Sequence, residues 1–170
     1  MGRFEAPILR PTDPALINFT SGTTAPSRAA IQSHLNLVSA AETWVRCLDL
    51  QPWDTTVVAA PMYHTTGLNG QSLPVLAAGG SVAIMPRFDA GALVERLWAG
   101  TASFFHAAPT IYRLALRAAD GRRAHGLRTC VSGGAFVGRP LVDEVRRFAP
   151  DSDFRISYGM TETSSPAVLT

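Results

Sequence analysis

Ala102 to Ser132 reads ASFFHAAPTIYRLALRAADGRRAHGLRTCVS, and this stretch decides the fold class. Ala102 to His106 is a short apolar run that suits a strand. Pro109 then opens a helix, at the one place where its missing N–H leaves no hydrogen bond unmade. The helix pattern runs to Ala119, and Leu127 to Ser132 (LRTCVS) is a second strand. A strand, a helix of about ten residues and a strand make a right-handed crossover between parallel neighbours.

The same alternation extends in both directions. Upstream, Ala15 to Phe19 (ALINF) reads as a buried strand that ends in a small, polar loop, Thr20 to Ala25. Ser33 can cap a helix whose Leu35, Leu37, Val38, Ala41, Val45 and Leu48 roughly share a face. Thr56 to Ala60 (TVVAA) is a strand stopped by Pro61, and Gly67 to Ala78 is a largely buried helix, interrupted near Pro74 and ended by Gly79 and Gly80. Ser81 to Met85 (SVAIM) is a strand, and Asp89 caps a helix, Ala90 to Ala99, with Leu93, Val94 and Leu97 on one side. Downstream, Pro140 to Phe148 is a helix with Leu141, Val145 and Phe148 inward, followed by a strand from Phe154 to Ser157. The expectation is an α/β fold: alternating βα units form a mostly parallel sheet flanked by helices. In such sheets ligands bind beyond the carboxyl ends of the strands, so the loops after strands are where chemistry belongs.

Composition narrows the function classes. The chain has 170 residues, 46% hydrophobic and 16% charged, with a net charge of +2. This suits a folded domain with its own core rather than a disordered segment. No apolar run approaches the roughly 18 residues of a membrane span, and the start, MGRFEAPILRP, has no signal-peptide core. A soluble, cytoplasmic protein is expected. All 15 basic residues are arginine, which excludes a Walker phosphate lysine, a Schiff-base lysine and a lysine general base within the chain. Cys47 and Cys130 read as small buried hydrophobes, and the histidines have no metal-ligand spacing. Arg122-Arg123 and Arg146-Arg147 have no aromatic neighbours suited to base stacking, so no nucleic-acid partner is expected. Ser132 lacks the G-x-S-x-G context of a hydrolase nucleophile.

Four strand-end loops remain. Thr20, Ser21, Gly22, Thr23 and Thr24 could ring a phosphate with hydroxyl and amide donors, or form a solvated turn. Pro61 to Gly67 (PMYHTTG) carries His64, by itself as consistent with packing as with catalysis. In Ser132 to Ala135 (SGGA), the glycines either admit a flat ligand or simply make a tight turn. Tyr158 to Thr163 (YGMTET) puts a hydroxyl and a carboxylate together, which suits a phosphate oxygen and a hard cation, or an ordinary polar turn.

In this order, TSGTT, PMYHTTG, SGGA and YGMTET resemble the adenylate-forming superfamily of acyl-CoA synthetases, luciferases and peptide-synthetase adenylation domains. PVLAAGGSVAIMPRF and FFHAAPTIYRL add to the resemblance, which covers about Asp13 to Thr170. It implies activation of a small carboxylic acid by ATP, followed by transfer to the thiol of coenzyme A or a phosphopantetheine arm. The demand on the protein is alignment and charge neutralisation around a polyanion. By resemblance, Thr20 to Thr24 and Arg28 would hold the β- and γ-phosphates, Thr161 the α-phosphate and Glu162 a Mg²⁺ ion. Thr161 and Glu162 are thus the catalytic candidates. Gly133, Gly134, Ala135, Tyr158 and Gly159 would take the nucleotide, and His64, Gly134 and Met160 would line the acyl side.

Departures from the family pattern are also legible. Where the family continues its first loop Gly-x-Pro-Lys-Gly, this chain has Ala25, Pro26, Ser27, Arg28 and Ala29. An arginine fork replaces a lysine point charge, and both glycines are gone. The family's ribose-binding aspartate and the lysine of its small C-terminal domain have no counterpart here. Residues 13–170 are therefore expected to be part of an incomplete adenylation domain, with 1–12 as an N-terminal extension. Weak or absent adenylation is expected from this chain alone. Other expectations are a partner role for the missing remainder or a complementary chain, and self-association through exposed sheet edges. A non-catalytic module that binds nucleotide, acyl ligand or protein is the alternative.

Overall fold

The strand–helix alternation is present, but it begins later than expected. In a computed structural model that describes residues 7–20 and 26–170, β1 (Pro14–Phe19) leads not into a helix but into β2 (Ala29–Ser33). The two form an antiparallel hairpin outside the main sheet, with Ile17 opposite Ile31 and Phe19 opposite Ala29. The chain continues through α1 (His34–Leu48), β3 (Thr55–Val58), a π-helical turn (Leu68–Ser72) and α2 (Leu73–Ala77). Next come β4 (Ser81–Ile84), α3 (Ala90–Trp98), β5 (Phe104–Ala107) and α4 (Pro109–Ala119). It closes with β6 (Thr129–Gly133), α5 (Arg139–Phe148), β7 (Asp153–Tyr158), a 3₁₀ turn (Thr161–Thr163) and β8 (Val168–Leu169).

Among the described residues the main sheet has the order β4-β3-β5-β6-β7-β8. Every pair is parallel except β7 with β8, a short antiparallel strand that the sequence did not announce. Both faces are covered. Phe105, Cys130 and Val57 pack under α3, α4 and α5 through Leu93, Leu97, Tyr112, Leu141, Val145 and Phe148. On the other face, Phe104 and Val131 meet Trp44 and Leu48 of α1 and Val75 of α2. Covering on both faces explains why these strands read as continuous apolar runs rather than alternating ones.

Four expectations need correction. The β1 segment is not buried: Ile17 and Phe19 are exposed and only Asn18 is inside. Strand periodicity puts Ile17 and Phe19 on one side, and the hairpin buries the other. In α1 the buried stripe is Ala41, Trp44 and Leu48, while Leu35 and Val38 are exposed. The large indole sets which face turns inward, which also leaves Cys47 on the exposed side while Cys130 is buried. The helix expected from Gly67 begins as a π turn because Pro74 has no N–H to offer the Gly70 carbonyl four residues back. The cap at Ser33 is as expected, and Asn36 completes it: the Asn36 amide donates to Ser33 Oγ at 3.2 Å and the Ser33 amide to Asn36 Oδ1 at 2.9 Å.

Candidate active site

The strand order reverses direction at β3: β4 lies on one side of it and β5 on the other. Crevices open at the carboxyl ends of strands where such a reversal occurs. The loop Pro61–Gly67 leaves β3 at that point, while the Gly133–Ala135 and Tyr158–Thr163 segments leave the neighbouring β6 and β7 at the same end.

The first loop is carried by the hairpin rather than by the sheet. Its neck is closed by the Thr20 amide donating to the Arg28 carbonyl at 2.8 Å and the Arg28 amide donating to Thr20 Oγ1 at 3.2 Å. Ser27 Oγ donates to the Thr20 carbonyl at 2.6 Å. Ser21, Gly22, Thr23 and Thr24 lie outside the described residues. Two buried amides tie the hairpin to the rest of the site. Gln32 Nε2 donates to the Thr161 carbonyl at 2.6 Å, and Asn69 Nδ2 donates to Gln32 Oε1 at 3.0 Å and to the Ser164 carbonyl at 3.2 Å. The hairpin, the π turn and the Thr161–Thr163 turn are thereby held at one end of the sheet.

Gly133 is required by close approach. A Cβ there would fall 2.2 Å from Ser157 Oγ and 2.5 Å from the Ser157 carbonyl, so β6 and β7 could not pair as they do. Gly134 has φ +79°, with nothing within 4 Å of where a Cβ would sit. Gly134, Ala135 and Tyr158 are exposed, Tyr158 by 61%, and form an open ledge beside Gly159 and Met160. Glycine ledge and free aromatic face together suit a flat ring. Beyond the ledge, Thr163 Oγ1 accepts from the Met160 amide at 3.1 Å and closes the turn that presents Thr161 and Glu162. The segment after it is strained, with φ of 57° at Ser164 and 44° at Ser165. Trp44 Nε1 donates to the Ser165 carbonyl at 3.1 Å and helps to hold it.

His64 is exposed, and its Nδ1 accepts from the Thr66 amide at 3.1 Å, so the neutral ring carries its proton on Nε2. His106 is the buried counterpart. Burial pushes its pKa down to about 4, with the nearby His64 adding to the effect and the Gly70 carbonyl opposing it. The ring is therefore neutral at pH 7. A carbonyl can only accept, so His106 Nδ1 donates to Gly70 O at 3.1 Å, and Nε2 is left to accept from Ser157 Oγ at 3.3 Å. The Gly70 carbonyl is free for this bond because of Pro74. His106 thus links β5, the end of β7 and the π turn beneath the ledge.

Glu162 is exposed and borders a cleft of about 300 Å³ with Asn36, Ser39 and Thr43 of α1. Among the described residues no group of three or more His, Cys, Asp or Glu side chains could hold a metal unaided. One exposed carboxylate fits Mg²⁺, an ion that takes most of its oxygens from phosphates and water. Of the expected residues, Gly133 to Ala135 and Tyr158 to Glu162 follow adjacent parallel strands at one end of the sheet, His64 follows β3 at the same end, and Thr20 and Arg28 form the neck of the separate hairpin. Sequence reasoning missed Gln32, Trp44, Asn69, His106 and Ser157. Only two of them carried a signal, polarity within an apolar run: His106 inside FFHAA, and Asn69 within an apolar helix pattern.

Comparison with known proteins agrees with this architecture. Acyl-CoA synthetase ALT10 from Alternaria alternata is 34% identical over 161 residues, covering 92% of this chain and 27% of that protein. 4-Coumarate–CoA ligase 2 from Oryza sativa subsp. japonica is 32% identical over 162 residues, covering 91% and 28%. The crystal structure of ATP-bound MatB from Rhodopseudomonas palustris superposes with a TM-score of 0.82 at 31% identity, over 93% of this chain and 32% of that one. AMP-bound O-succinylbenzoate coenzyme A synthetase from Bacillus subtilis gives 0.83 at 25%, over 95% and 33%. The chain thus spans less than a third of the length of the two curated relatives. The model of the AMP-binding enzyme family matches residues 2–170, and the chain belongs to that family.

Proposed function

We propose that this chain carries part of the ATP and carboxylate pockets of an ATP-dependent acid–thiol ligase. In that reaction a carboxylate oxygen attacks the α-phosphorus of ATP and the bond to pyrophosphate breaks, which leaves an acyl-adenylate. The thiol of coenzyme A or a phosphopantetheine arm then attacks the acyl carbon and AMP departs. The observation that supports the reading is the pair of buried amides, Gln32 and Asn69, which tie the β1–β2 hairpin to the turn bearing Thr161 and Glu162.

In this reading the Thr20–Thr24 loop and Arg28 face the β- and γ-phosphates, and Thr161 donates toward the α-phosphate. Tyr158 stacks on adenine above Gly133, Gly134, Ala135 and Gly159, while His64, Gly134 and Met160 line the acyl side. A Mg²⁺ ion at Glu162 would offset phosphate charge. Neutral His106 stiffens the floor without placing a cation near the attacking carboxylate. The exposed apolar face of Ile17, Phe19 and Ile31 would be covered by further chain or by a second copy.

One observation favours a second reading, a module that binds without turnover. The loop neck is pinned at Thr20, Ser27 and Arg28, and alanines flank it where the family has glycines. Carboxylate-dependent exchange of labelled pyrophosphate into ATP tests whether this segment turns over on its own. The purified protein should exchange at the background rate, and exchange at the rate of a complete ligase contradicts the proposal.

A further inference from the structure

We propose that the groove between α4 and α5 docks an acidic amphipathic helix of a partner protein. This groove, about 680 Å³, lies on the flank of the molecule rather than at the carboxyl ends of the strands. Five of the chain's 15 arginines line it, against one acidic side chain, Glu144. Its local charge is +4 in a chain whose total is +2, so everything outside the groove sums to −2. The compositional charge of the protein is concentrated here.

Four of these arginines are uncommitted. Arg122 pairs with Glu95 at 2.5 Å and lies 5.8 Å from the centre of the Trp98 ring. Arg113, Arg117, Arg123 and Arg147 are exposed and form no ion pair among the described residues. Arginine forks bind carboxylates in bidentate fashion and are favoured at interfaces.

Shape and polarity identify the occupant. The lining runs along α5 from Pro140 to Phe148 and along α4 from Arg113 to Ala119, so the groove is elongated. At about 1.5 Å per helical residue, it accommodates roughly two to three turns of a helix. Arg113 and Arg117 are one turn apart on the α4 wall, a spacing that carboxylates four residues apart on a helix can match. Leu116, Leu141 and Phe148 give the floor an apolar component for the helix's own apolar stripe. Glu144 stands on the α5 wall, so a uniformly charged polyanion filling the groove would meet a like charge there. This favours a one-sided acidic helix over RNA, polyphosphate or an anionic membrane.

The test is fluorescence anisotropy at low salt with a labelled synthetic helix bearing glutamates along one edge and leucines along its face. Saturable binding is expected, and it should weaken as salt is raised. Arg113→Glu with Arg117→Glu should weaken it by at least about tenfold, with an unchanged circular dichroism spectrum because both side chains project into solvent. Arg113→Lys with Arg117→Lys should retain most of the binding. A probe with glutamine in place of glutamate should bind far more weakly. No saturable binding, equal affinity for the charge-reversed variant, or preference for polyphosphate, RNA or phosphatidylglycerol vesicles over the peptide would each overturn the proposal.

Discussion

Trp44→Ala is expected to destabilise the protein by about 4 kcal/mol, within the usual range for removing a buried indole. Trp44 is fully buried in the smaller core with Leu48, Val75, Phe104 and Val131. Its removal leaves a large cavity between α1 and the sheet. It also withdraws the donor from the Ser165 carbonyl and the ring that stands 5.2 Å from His106. Trp44→Phe keeps most of the apolar volume and loses the hydrogen bond, so about half the penalty should remain. Urea unfolding of both variants measures this. A loss below about 1 kcal/mol for the alanine variant contradicts the placement of Trp44 as the keystone of that face.

Asp54→Asn has a comparable effect for an electrostatic reason, at the opposite end of the sheet. Asp54 is 1% exposed and accepts from the Gln51 amide at 2.7 Å, from Ser103 Oγ at 2.6 Å and from Arg128. Ser103 in turn accepts from the Thr55 amide at 2.9 Å, and Arg128 also donates to the Asp49 carbonyl at 3.0 Å. One carboxylate thus joins the entries to β3, β5 and β6. The amide keeps the shape but removes the charge and turns one acceptor into a donor, a loss of about 3 kcal/mol. Burial pushes the Asp54 carboxyl up, but the bonds from Arg128, Ser103 and Gln51 outweigh it and hold the carboxyl below its usual 3.8. A carboxylate depressed in the folded state contributes stability above its unfolded pKa, and this is lost as pH falls through the folded value. The Asp54 contribution should therefore be complete at pH 7 and fade below about pH 4. Denaturation midpoints of the two proteins at pH 7 and pH 3 should converge on acidification. A gap that is unchanged at pH 3 contradicts this role.

Most of the sheet was legible because its strands alternate with α3, α4 and α5, helices of about ten residues, and at α3 Asp89 accepts from Ala92 as the cap read at that position requires. The hairpin was not, because a short apolar run such as ALINF fits a central strand and an isolated ribbon equally well. Choosing between them needs the partner strand, and AAIQS carries no strong strand signal of its own. The outer motifs of the site were legible because glycine, threonine and glutamate sit directly at strand ends. The supporting groups were not. Gln32 and Thr161 are 129 residues apart and Trp44 and Ser165 are 121 apart, and no local pattern encodes such bonds. His106 shows the limit most clearly. Its neutral state and its proton position follow from a carbonyl freed by a proline on another element, which is a property of the fold rather than of FFHAA.

The central claim, that the loops at the carboxyl ends of the strands form the nucleotide side of an adenylation site, is tested most directly by residue-resolved NMR. The ¹⁵N-labelled chain would be titrated with Mg²⁺–ATP and with a stable acyl-adenylate analogue. The predicted result is saturable shift changes at Gly133, Gly134, Tyr158, Gly159 and Thr161 and at the hairpin neck around Thr20 and Arg28, with the α4–α5 groove unmoved by the adenylate analogue. A folded chain whose strand-end amides do not respond, or one whose responses are confined to the arginine groove, contradicts it.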